Sequence, residues 1–87
     1  MELYAEIRER LATLEPRSVE LLDESGLHVG HAGAAAGGSH FRLVVISPRF
    51  AGLGKLERHR MIYAALGSLM QREIHALAIQ ALAPDEL

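Results

Sequence analysis

The residues best equipped for chemistry in this 87-residue chain are its histidines, His28, His31, His40, His59 and His75. Neutral imidazole is the commonest side-chain metal ligand, and it titrates near neutral pH. The sequence contains no cysteine, which excludes a disulfide framework, a Cys-based zinc site and a thiol nucleophile. His28 and His31 form an H-x-x-H in a glycine-rich stretch. Two readings fit that pair: metal or cluster ligands, or solvated loop histidines. A closed zinc site takes about four ligands, and nothing else in this stretch supplies them. His75, between Ile74 and Ala76, either projects toward a partner or ligand or sits half-buried against a carbonyl. The helical phase of His59 groups it with Leu56, Ile62, Tyr63 and Leu66, as a histidine at the core or its edge. His40 opens a strand.

Other constellations are weaker. Ser25 and Ser39 lack a nucleophile's context, and adjacent Asp23 and Glu24 point to opposite faces of a strand, so the chain reads as a non-enzyme. Gly30–Gly33 spells G-x-x-G, the phosphate clamp of KH domains, but it lies between strands where the clamp joins helices. Arg58 and Arg60 diverge by about 200° around a helix and form no joint patch, and Arg60 faces solvent. Nine Lys and Arg against eleven Asp and Glu give a net charge of −2, and only two Phe and two Tyr are present. That balance argues against broad nucleic-acid binding.

The elements that must position these residues follow from periodicity. Leu3, Ile7, Leu11 and Leu14 mark an amphipathic helix of about four turns, stopped at Pro16. Ser18–Glu24 reads as a strand. Residues 25–39 hold most of the chain's glycines and many alanines, and are expected to form a flexible loop. His40–Ser47 (HFRLVVIS) is β-branched and apolar on both faces, the mark of a central strand antiparallel to the first. Pro48–Gly54 is a turn with Phe50 as a core anchor, and Lys55–Arg72 is the second long helix. Leu77, Ile79 and Ala81 alternate against Ala76, Ala78 and Gln80, which favours a last strand over 74–82. A helical crossover makes that strand parallel to the one at 40–47. Residues 83–87 read as a frayed tail. The sum is one α+β domain over residues 1–87, with an ordered core over about 3–82. Its three-stranded mixed sheet carries helices packed on one face. No stretch approaches the ~20 apolar residues of a membrane span, and no signal-peptide core is visible, so a cytoplasmic protein is expected.

Several motifs taken together resemble the BolA family. They are Asp23-Glu24-Ser25 with His28; Ser39-His40-Phe41 leading into Leu43–Ser47; Phe50-x-Gly52; Arg58-His59-Arg60-x-x-Tyr63; and Ile74-His75-Ala76-Leu77. They occur in that family's order and spacing over residues 3–84. The resemblance implies a class II KH-like fold with the order α-β-β-turn/short α-α-β. It also implies partnership with a monothiol glutaredoxin, the two chains sharing a [2Fe–2S] cluster with glutathione. In that family the histidine of the I-H-A-L stretch is a cluster ligand, here His75. A second ligand comes from the loop between the first two strands, here His28 with His31 as competitor. A chain without thiolates cannot hold such a cluster alone, so the sulfur side must come from the partner. The family also permits a different role, a DNA-binding regulator of stress response and cell morphology. Its contact surface here would be the Gly52–Arg72 turn and helix, with Lys55, Arg58 and Arg60. The cluster-free form is expected to be a monomer or weak homodimer.

Overall fold

The computed structural model describes residues 3–24, 40–72, 74 and 76–87; the loop expected over 25–39 lies outside them. Helix α1 (Leu3–Leu11) runs into a 3₁₀ turn, Ala12–Leu14. Ile7, Leu11 and Leu14 are buried, as their three- and four-residue spacing requires. The chain turns at Glu15, whose φ of 51° is left-handed, and Pro16 prevents further helix.

Strands β1 (Ser18–Asp23), β2 (His40–Ile46) and β3 (Ala76–Leu82) form one sheet in the order β1-β2-β3. β1 and β2 are antiparallel, from Ser18 opposite Ile46 to Asp23 opposite Phe41. β2 and β3 are parallel, from His40 opposite Ala76 to Ile46 opposite Leu82. Central β2 buries Phe41, Leu43 and Val45, flanked in register by Val19 and Leu21 on one side and Leu77, Ile79 and Ala81 on the other. Helix α2 (Lys55–Leu66) packs against α1 and β3, completing the core with Ile62 and Leu66, and Phe50 is fully buried in the same core. The mixed sheet with helices on one face matches the architecture expected from sequence.

Three local expectations are corrected. The second helix is not continuous over 55–72. It stops at Leu66, Gly67 takes a φ of +54°, and a short helix α3 (Leu69–Arg72) follows. The buried stripe of α2 is rotated from the one the apolar residues suggest. Leu56 is 63% and Tyr63 42% exposed, while Arg58, Ile62 and Leu66 face inward. Residues 83–87 are not a frayed tail: Ala83 is buried and Pro84–Glu86 form a 3₁₀ turn. No helix among the described residues is long and apolar enough to cross a membrane.

Candidate functional site

One end of the sheet gathers the chain segments that carry the candidate ligands. β1 leaves there at Asp23, β2 enters at His40, and β3 enters at Ala76 directly opposite His40. The Glu24 N–H donates to the His40 carbonyl at 2.8 Å, closing the base of the 25–39 connection. Arg42 Nε reaches the Glu24 carboxylate across the strands at 3.0 Å. The approach to β3 is pinned by Ile74, which is 2% exposed and whose N–H donates to the Leu69 carbonyl at 3.0 Å. His28, His31 and His75 themselves lie outside the described residues, so the structure gives the positions of their flanks: Glu24 and His40 for the loop pair, Ile74 and Ala76 for His75. Among the described residues no cluster of three or more His, Asp or Glu side chains could hold a metal ion. The donor chemistry available to the chain is imidazole without thiolate. That set suits a supplementary ligand on a cluster whose sulfur ligands come from elsewhere, and does not suit a cluster held by this chain alone.

The second surface raised by the sequence lies around the first turns of α2. Lys55 and Arg60 are exposed and His59 is half-buried. Arg58 is only 9% exposed, and its guanidinium is committed inside the molecule. Nε donates to the Leu53 carbonyl at 2.8 Å and Nη1 to the Ala81 carbonyl at 3.0 Å. Nη1 and Nη2 together clasp the Glu86 carboxylate at 2.6 and 2.8 Å. Glu86 Oε1 also accepts from the Ala83 N–H at 2.8 Å. The Arg58 hydrogen bonds, followed by the Ala83 amide, hold the Glu86 carboxyl down at about 2. The same carboxylate raises Arg58 above its ordinary value. Arg58 is thus a structural tie between α2, β3 and the C-terminal turn, which withdraws it from the nucleic-acid surface expected of Lys55, Arg58 and Arg60. Sequence reasoning missed Glu86 altogether. The available signal was Pro84 at the first turn position with a glutamate two residues later, the composition of a helical start.

Comparison with known proteins places this geometry. The BolA-like protein family matches residues 11–86. BolA-like protein 1 of Homo sapiens is 47% identical over 83 residues, which are 94% of this chain and 58% of that protein. The chain therefore spans little more than half the length of that relative. The DNA-binding transcriptional regulator BolA of Escherichia coli (strain K12) is 41% identical over 80 residues, 91% of this chain and 73% of that protein. Among solved structures, the BolA domain of SufE1 from Arabidopsis thaliana superposes with a TM-score of 0.80 at 36% identity, covering 100% of this chain and 99% of that one. With the family model matched over residues 11–86 and the fold superposing on a BolA domain along its whole length, the chain belongs to the BolA-like family.

Proposed function

We propose that this chain is a BolA-like adaptor that binds a monothiol glutaredoxin and shares a [2Fe–2S] cluster with it and glutathione, in iron–sulfur trafficking and iron homeostasis. His75 is the principal ligand, and His28 the loop ligand with His31 as its competitor. The observation that carries the reading is the common sheet end. The backbone places Glu24, His40 and Ala76 there, with Ile74 two residues before Ala76, so both histidine-bearing segments adjoin one end of the sheet. The chain's own part is to present neutral imidazoles from that end and to leave the thiolates to the partner. Imidazole in place of thiolate removes negative charge from a cluster and raises its reduction potential. The proposed role is that of a binding partner, not of a catalyst.

The test is co-purification with a monothiol glutaredoxin and anaerobic reconstitution, comparing visible spectra and complex recovery for wild type, His75→Ala and His28→Ala. A changed spectrum in His75→Ala, and a smaller change in His28→Ala, is the expected result. Unchanged spectra with undiminished complex formation would sink the ligand assignment. A nucleic-acid role has one observation in its favour, the name borne by the Escherichia coli relative. For this chain it would rest on Lys55 and Arg60, since Arg58 is spent on Glu86.

A further inference from the structure

Strand β1 begins the sheet order β1-β2-β3, and no other described strand lies beyond it. The Glu24 N–H donates to the His40 carbonyl at 2.8 Å, which fixes the alternation of backbone groups along β1. Glu20 and Leu22 turn theirs toward β2, so Val19, Leu21 and Asp23 turn theirs to the outer side. The side chains of the two sets point to opposite faces of the sheet. Val19 and Leu21 pack against the core on the helix side. Glu20 and Leu22 stand on the uncovered face, where Leu22 is 43% exposed.

Charges on an edge strand usually discourage pairing. On β1 they select one pairing with a second copy of the same strand. The outward groups belong to residues 19, 21 and 23, so these must face one another in an antiparallel pair. With Leu21 facing Leu21 of the second copy, Glu20 faces Leu22 and Val19 faces Asp23, and no acid faces an acid. A shift by one step sets Glu20 against Glu20 in one direction and against Glu24 in the other. Directly opposed like charges are destabilising. Behind Leu22 in register stands Arg42, bound to Glu24, so Glu20 of the second copy approaches a leucine backed by a cation. A cavity of about 350 Å³ also opens at the Asp23 end of β1, walled by Leu3, Tyr4, Leu21, Asp23 and Phe41. In the Leu21-centred register, Val19 of the second copy lies opposite Asp23 and on the helix side, at the mouth of that cavity.

We propose that two copies of this chain join through β1 about a twofold axis at Leu21, forming one continuous six-stranded sheet with all helices on the same face. The outward backbone groups of Val19 and Leu21 gain partners, and each copy's Val19 enters the other's cavity. The interface is isologous, so every contact occurs twice. This inference is independent of the cluster reading, and the metal-free chain suffices to test it.

The test compares wild type, Leu22→Lys and Leu22→Glu by sedimentation equilibrium over a wide range of concentration. Leu22 lies on the uncovered face, so both variants should fold, which circular dichroism checks. Lysine opposite Glu20 of the second copy should tighten the dimer, and glutamate there should loosen it. Because the pair occurs twice, the two dissociation constants should differ by about tenfold or more. In a mixture of isotope-labelled and unlabelled wild-type chains, filtered NMR should show Glu20 Hα against Leu22 Hα of the second copy. That short contact marks a pair of facing residues without mutual hydrogen bonds. A wild-type chain that stays monomeric at every concentration would overturn the proposal, as would equal dissociation constants for the two variants. So would a dimer lacking the Hα contact, since its copies would meet elsewhere. A chain monomeric by itself, whose amide exchange at Val19 and Leu21 slows when a monothiol glutaredoxin is added, would assign the edge to that partner instead.

Discussion

Ser47 ties together segments far apart in sequence through a single buried side chain. Its hydroxyl donates to the Leu14 carbonyl at 2.6 Å and accepts from the Arg49 N–H at 3.1 Å, while its own N–H holds Leu82. Removing the hydroxyl leaves the Leu14 carbonyl without that donor in a site closed to water. An unsatisfied buried polar group costs about 1–3 kcal/mol. Ser47→Ala should therefore lose that much stability by urea denaturation, although it removes a single atom and no apolar packing. A change below about 0.5 kcal/mol would show that the carbonyl finds another donor. Nothing local in the sequence announces this role, because the partner lies 33 residues away. Phe50, by contrast, was legible: a large aromatic inside a turn has few places to go except the core, and it is fully buried. His75 and His28 were singled out by residue type and by family resemblance. The sheet end that would present them could be read only from the strand register.

At the level of elements, legibility follows how locally each pattern is determined. β2 was readable as a strand from its run of β-branched and apolar residues, although the face with His40 and Arg42 is partly open, and its two neighbours and their directions follow from the connections. The phase of α2 was not. Leu56 and Tyr63 invite an inward assignment, yet the inward position belongs to Arg58, whose burial is acceptable only because Glu86 waits 28 residues away. The break after α2 has a local cause of its own. Gly67 adopts a φ of +54°, its N–H donates to the Tyr63 carbonyl at 2.9 Å, and a Cβ there would lie 3.3 Å from Arg10 Nη1. Arg10 is held in place by the Leu66 carbonyl at 2.9 Å and by Glu6. Gly67→Ala should cost about 1 kcal/mol or more, against the small gain that glycine-to-alanine brings where the backbone permits it. Equal urea midpoints for the variant and wild type would mean that the chain can continue from α2 into α3 without a glycine.

For the molecule as a whole, the Arg58–Glu86 clasp decides whether residues 83–87 belong to the fold. It joins the first turns of α2 to the end of β3 and to the C-terminal turn through one guanidinium, with the Leu53 and Ala81 carbonyls accepting from Nε and Nη1. A tail read in isolation, with Pro84 and two acids, signals at most a helical turn and not its partner on α2. The clasp carries a pH signature. The Glu86 carboxyl, ordinarily at 4.5, is held at about 2 in the folded protein, so folding favours its charged form. The stability that this preference contributes is complete above about 4.5 and declines as the pH falls below that value. It is lost as the pH passes through about 2. Glu86→Gln keeps the shape of the turn but removes the charge. Its urea midpoint should lie below that of wild type at pH 7, with the gap narrowing below pH 4.5 and closing near pH 2. A gap that stays constant across that range would assign the contribution of Glu86 to its neutral hydrogen bonds, and the fold would not depend on its charge.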